Sequence, residues 1–266
     1  MGAPPCGAAT PEPKSLKEER TMRSMLPSRL TIAKVAMVLA VMPIAVGCNC
    51  IFNAAFNSDT VGNPPDTTLP GYPTGDALSL NTPAGEILVR ASVGDLTNQP
   101  VEVRMTGGTG GVDLLGTVAG TPPTTGKWVA SWRGLVQANS GENIFGAMVF
   151  RDSGALILAA VEYRENGIID FSELFTGTGI GVTWTPDVSQ LFEVTIDLDA
   201  KTVSLSIDGV PVASCQNLNY KEAAAIDLAR MNFEVGYTTP QAFALDNLMI
   251  CAATQEDDHI PGTPYK

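Results

Sequence analysis

The strongest constraint in this chain is an alternation of apolar and polar residues with period two. Phe192, Val194, Ile196 and Leu198 alternate with polar or charged neighbours, Asp199-Ala200-Lys201-Thr202 turns the chain, and Val203, Leu205 and Ile207 alternate back to Asp208-Gly209. Successive side chains of a strand point to opposite faces, so this pattern predicts a hairpin with one buried face. A helix would scatter the same residues around its whole circumference.

The pattern recurs. Ile144 to Phe150 and Ala155 to Tyr163 flank Asp152-Ser153-Gly154, Met231, Phe233, Val235 and Tyr237 form another strand, and Phe243 to Ile250 the last. Only Lys221 to Ala229 has helical spacing, for one or two turns. Many short strands with frequent turn residues predict an all-β, two-sheet antiparallel sandwich. The sandwich is expected over residues 81–252, followed by a polar tail over 253–266 that holds the sole histidine, His259. Residues 48–80 are dense in Asn, Pro, Thr and Gly, with Pro64, Pro65, Pro70 and Pro73 opposing regular pairing, and read as a tether and lead-in.

The front of the chain has a different character. Arg23, Arg29 and Lys34 precede an apolar run from Val35 to Gly47 that ends in small residues, the three regions of a signal peptide over 22–47. That run contains Pro43 and falls short of the roughly twenty apolar residues that a membrane-spanning helix needs. Ala45-Val46-Gly47-Cys48 resembles the bacterial lipobox, with Ala45 at the place where Leu is usual. The resemblance implies that Cys48 becomes the acylated first mature residue, that the chain is exported, and, with Asn49 following, that it passes to the outer membrane or cell surface. Residues 1–21, with four prolines and the charged run Lys14 to Arg20, do not fit a signal peptide and predict a true start at Met22 or Met25.

Six of the 16 basic and three of the 28 acidic residues precede Cys48, which leaves 10 against 25 and a net charge of −15 for the remainder. Such a surface repels phosphate backbones and anionic lipid heads, so neither nucleic acid nor an electrostatic membrane contact is a natural partner. With Cys6 in the extension and Cys48 acylated, Cys50, Cys215 and Cys251 remain in an oxidising compartment. Cys215 and Cys251 both end strand-like segments and are the expected disulfide; two buried free thiols are the open alternative.

Phe192-Glu193-Val194-Thr195-Ile196-Asp197-Leu198, the Val203 to Val212 return, and Ala244-Leu245-Asp246-Asn247-Leu248-Met249-Ile250 look like the closing half of a concanavalin A-like (laminin G-like) jelly roll. Phe56-Asn57-Ser58-Asp59-Thr60-Val61-Gly62 is similar to the opening of bacterial members. The resemblance implies two stacked sheets with a concave face that binds or cleaves glycans in various relatives. It also implies a structural Ca2+ where the first and last strands meet, with Asp59 and Asp246 as its candidates; the competing reading is that Asp246-Asn247 turns the last strand through its own side chains.

Catalytic constellations are sparse. Some jelly-roll glycanases carry Glu-x-Asp-x-x-Glu on one strand; Ile168-Ile169-Asp170-Phe171-Ser172-Glu173 matches the last two acidic places and puts Ile168 where the nucleophile belongs. Chance spacing in an acidic chain accounts for that match more simply, and Glu162 with Glu165 is no more specific. One histidine, in a tail, does not support a nucleophile triad, and no Cys-x-x-Cys or His cluster is present for zinc or iron. Gly107-Gly108-Thr109-Gly110-Gly111 is not followed by Lys-Ser or Lys-Thr and reads as a turn rather than a phosphate loop.

Glycan recognition uses aromatic faces, and Trp128, Trp132, Trp184 and Tyr163 are the candidate platform; the packing alternative is that they are core, because one face of each sheet must be buried. The sequence therefore predicts a membrane-anchored, non-enzymatic lipoprotein without an obligatory cofactor, displaying a sandwich to a polymer or envelope protein. A glycan-binding or degenerate hydrolase-like jelly roll is the alternative.

Overall fold

The computed structural model describes residues 49–253 except 68–77, 108–109, 119, 139, 141–143, 172–178 and 237–238. The extension over 1–21, the signal segment over 22–47, Cys48, Tyr237, Glu173 and His259 lie outside the described residues, as does part of the Gly107 to Gly111 turn.

Two antiparallel sheets make the domain. In the larger, β6 (Lys127–Val136) and β15 (Gln241–Ala252) are central neighbours. β10 (Gln190–Asp197), β11 (Thr202–Ile207) and β12 (Val210–Pro211) continue outward from β6, and β13 (Leu218–Asn219) also pairs with β11. Beyond β15 lie β4 (Val101–Met105) and β3 (Gly85–Val89), while β1 (Cys50–Ala54) pairs with the other half of β15. The smaller sheet has the order β2 (Leu78–Asn81), β5 (Val112–Thr117), β14 (Arg230–Val235), β7 (Phe145–Arg151), β8 (Ile157–Arg164) and β9 (Ile169–Phe171).

The predicted hairpin is the β10–β11 pair, in which Phe192 faces Ile207, Val194 faces Leu205 and Ile196 faces Val203 across the ladder. All six are buried between the sheets. An aromatic cluster fills the centre: Trp132 stacks on Phe192 with centroids 5.1 Å apart, and Tyr163 meets Phe192 and Phe233 edge-on at 5.5 and 6.2 Å. Gly146 makes room for this cluster, since a Cβ there would stand 2.6 Å from the Phe243 ring. Such a collision in a close-packed interior admits no larger side chain without displacement.

Three expectations are corrected. The lead-in is not wholly a tether: Cys50–Ala54 forms a strand on β15, and Phe52, Ala54 and Phe56 are among the fully buried residues. The prolines that oppose pairing start only at Pro64, beyond this strand. Cys251 is bonded to Cys50, not Cys215. The two are cross-strand partners on β15 and β1, whereas Cys215 sits reduced and buried in a 3-10 turn, Ala213–Cys215, where burial pushes its thiol pKa up. Lys221 to Ala229 is not helical. The Lys221 and Glu222 amides donate to the Leu158 and Ile157 carbonyls at the start of β8, and bonds of that kind replace a helical ladder.

On the outer face of the larger sheet, Glu102 is buried yet accepts from Arg90 Nε at 2.6 Å, Arg104 Nη2 at 2.7 Å and Gln137 Nε2 at 2.5 Å. Burial alone would raise its pKa, but the hydrogen bonds from Gln137, Arg104 and Arg90 outweigh it and the net shift is downward from the ordinary 4.5. A lowered folded pKa contributes stability that is present above 4.5 and is lost as the pH falls through the folded value. Glu102→Gln is expected to lower the melting temperature at neutral pH and to flatten its decline on acidification, as followed by thermal melts across pH.

Joining residues 201 positions apart, the disulfide closes nearly the whole domain. By the chain-entropy argument it contributes about 5 kcal/mol. Cys251→Ser is expected to lower the denaturation midpoint by a corresponding amount, whereas Cys215→Ala, which removes no crosslink, leaves most of that stability in place.

Candidate functional site

The four aromatic residues expected as a platform do not form one. Trp132 and Tyr163 are essentially inaccessible between the sheets, and Trp128 and Trp184 are buried at the core margin, each with its indole N–H donated to a carbonyl, of Thr125 and Arg164 respectively. Trp128 and Trp132 share a face, as their spacing requires, but it is the inward face.

Asp59 and Asp246 are each engaged within the chain. Among the described residues no group of three or more His, Cys, Asp or Glu side chains is placed to hold a metal. Asp59 accepts the Asp66 amide at 3.2 Å. Asp246 is buried beside a register shift in β15, and its carboxylate accepts the Asn247 backbone amide at 2.8 Å and the Asn247 side chain at 3.1 Å. Asn247 takes a φ of 53°, so the Asp-Asn pair turns the strand through its own side chains.

A row of polar side chains lies instead on the outer face of the smaller sheet. Registers across β2, β5, β14, β7, β8 and β9 align Asn81, Asp113, Glu234, Ala147, Glu162 and Asp170 in one row. Five inter-strand steps give this row a length of about 24 Å. At its centre Ala147, Val149 and Ala160 are buried in an apolar cluster, with Phe145 and Ile157 packed against it.

The two ends of the row differ. At one, Asn81 Nδ2 donates to Asp113 Oδ2 at 2.8 Å, and Arg151 Nη2 meets both Glu234 carboxylate oxygens at 3.1 and 3.3 Å. Asn81 is exposed, while Asp113, Arg151 and Glu234 are half-buried. At the other, Glu162 and Asp170 are 1% and 3% exposed. Arg164, two residues along β8 and hence on the same face, bridges them: Nη2 lies 2.6 Å from Glu162 Oε2, and Nε lies 2.8 Å from Asp170 Oδ2. The Gly179 amide donates to the other Asp170 oxygen at 2.5 Å, and the Arg164 guanidinium lies 5.9 Å from the Phe145 ring centroid.

Of the acidic residues considered in the sequence, Glu162 and Asp170 are brought together as register partners, Glu165 is exposed in the 3-10 turn after β8, and Ile168 bridges to Thr183. Sequence reasoning missed Asn81, Asp113, Arg151, Arg164 and Glu234. Their signal was polar residues at every second position of otherwise apolar strands, as in Glu162-Tyr163-Arg164.

No family model matches the chain, and no curated protein does so either. Solved structures do. The catalytic domain of a glycoside hydrolase family 131 protein from Coprinopsis cinerea superposes with a TM-score of 0.52 at 14% identity, covering 76% of this chain and 94% of that one. The fold is a jelly-roll sandwich. A sialidase matches 70% of the chain at 11% identity with a TM-score of 0.49, and the chain spans only 17% of that sialidase. An alginate lyase from a Corynebacterium species matches 65% of the chain at 9% identity and a TM-score of 0.47. At these identities the likeness is one of architecture, and the jelly roll's function must come from its own side chains.

Removing the bridging cation is expected to expose the cost of two neighbouring buried carboxylates. Arg164→Met should destabilise the domain by about 3 to 5 kcal/mol. Glu162→Gln in the same background should restore part of the loss, and a chemical-denaturation double-mutant cycle measures both.

Proposed function

We propose that the chain is an exported, lipid-anchored envelope protein whose jelly roll binds a neutral polysaccharide without cleaving it. The observation that carries the binding reading is the polar row across the outer face of the smaller sheet. In the part of the row that reaches solvent, Asn81, Asp113, Glu234 and the neighbouring Arg151 offer carboxylate, amide and guanidinium groups that suit the donors and acceptors of sugar hydroxyls. A surface with a net charge of −15, carrying Asp113 and Glu234 in that row, repels acidic polymers and so favours neutral ones.

The same geometry argues against hydrolysis. A glycosidase pair needs one carboxyl protonated to act as the acid and one ionised. Glu162 and Asp170 instead share one guanidinium, and each is almost wholly buried away from substrate and water. Anchoring rests on the signal-like segment and Cys48. Acyl chains there make membrane attachment effectively permanent, since one chain is marginal and two or three are not.

Affinity electrophoresis through gels containing neutral glucans, mannans or xylans is expected to retard the domain, with alginate as the acidic comparison giving no retardation. Asp113→Ala together with Glu234→Ala is expected to abolish the retardation while the melting temperature stays close to that of the parent. Release of reducing ends, lost in Glu162→Gln, would instead identify a hydrolase, and absence of retardation by every polymer would leave an envelope protein as the partner.

A further inference from the structure

We infer that the polysaccharide bound on the outer face of the smaller sheet carries N-acetylated amino sugars, with an acetamido group held between Asn232 and Arg230; this rests on the reading of that face as a neutral-glycan site. Three successive outward rungs of the β5–β14 ladder set the geometry: Asp113 opposite Glu234, Leu115 opposite Asn232 and Thr117 opposite Arg230. The first rung belongs to the polar row. The other two continue the same face along the strands, with exposed Ser79 of β2 beside Leu115.

Asn232 is the anomaly on this face. Met231 and Phe233 are in the core, so the Asn232 side chain points out of the sandwich. It is 5% exposed, and its Oδ1 is buried without a hydrogen-bond partner. An unpaired buried carbonyl costs stability, and a β-branched apolar residue would fill the same place in the strand without that cost. Arg230 is the second, independent observation. Its cross-strand neighbour Arg151 is committed to Glu234 and to the Ala155 carbonyl. Arg230 itself, half-buried, has no side-chain hydrogen bond or ion pair among the described residues. Held by no partner, its long stem is able to change rotamer and to open and close over the Asn232 amide two residues away.

Together the two residues select a ligand group. Oδ1 needs a donor and the guanidinium needs an acceptor, and they stand two positions apart on one strand, about 7 Å. A secondary amide spans that gap, because its N–H and C=O point in opposite directions; a hydroxyl carries its donor and its acceptor on one atom. A carboxylate or sulfate would meet Arg230 but bring no donor to Oδ1, and Asp113 and Glu234 on the same face repel it. The methyl of an acetamido group then finds the half-buried Leu115 side chain, while ring hydroxyls reach Asp113 and Glu234.

The test compares two β-1,4-linked hexamers that differ only at C2 of each sugar, one of glucose and one of N-acetylglucosamine, by isothermal titration calorimetry with the full-length protein. The N-acetylated hexamer is expected to bind about tenfold more tightly, the effect of a pair of added hydrogen bonds. Asn232→Leu is expected to remove that preference while the melting temperature stays at or above the parent's, because an unpaired amide gives way to an apolar side chain; an Asn232 with a merely structural role would lower it. Arg230→Met, which keeps most of the stem, is expected to reduce the preference as well. Equal affinity for the two hexamers, or a preference that survives both substitutions, overturns the acetamido inference alone. Tighter binding of an N-acetylated tripeptide than of either hexamer overturns it in favour of a protein partner, and failure of every neutral polymer to bind overturns the glycan reading with it.

Discussion

Much of this fold depends on the pairing of a single strand. The 12-residue β15 is hydrogen-bonded along one side to β6 and along the other to β4 in its first half and β1 in its second. Its core-facing residues Phe243, Leu245, Leu248 and Ile250 keep the inward face through a register shift between Asp246 and Met249. Because the side-chain period is two, a shift left uncorrected would turn the second half of that apolar set outward. The left-handed Asn247, held by the Asp246 carboxylate, absorbs the extra residue and restores it. The Cys50–Cys251 bridge then fixes the first strand to the last, so that the ends of the domain close the larger sheet at one place.

Charge is handled on the two outer faces by the same rule. Glu102 is surrounded by donors from Arg90, Arg104 and Gln137, and Glu162 with Asp170 is bridged by Arg164. A buried carboxylate without such partners would cost several kcal/mol. On the smaller sheet the paired charges end at a row whose other half, Asn81, Asp113 and Glu234, remains within reach of solvent. Structural pairing marks one end of the face and solvent-accessible polar groups the other.

The β10–β11 hairpin and the strands β7, β8, β14 and β15 were legible because each buries every second residue, and period two survives in a single sequence. β1 was less so: Cys50–Ala54 is short and adjoins a segment rich in turn-forming residues, which hides Phe52 and Phe56. Lys221 to Ala229 has apolar spacing that suits a helix, but its amides find carbonyls on β8 first. The tryptophans were placed on one face correctly, yet which face is inward depends on the partner sheet. Row residues such as Arg164 and Glu234 come from separate strands, and only register aligns them. Disulfide choice failed for the same reason, since Cys50 and Cys251 are 201 positions apart and become neighbours only through β1–β15 pairing.

Peptide mapping without reduction is the most direct measurement of this closure. Proteolysis of the protein with its thiols blocked should yield a linked pair of peptides containing Cys50 and Cys251, together with an alkylatable Cys215 peptide released only after unfolding. A linkage between Cys215 and Cys251 would contradict the β1–β15 pairing that closes the domain.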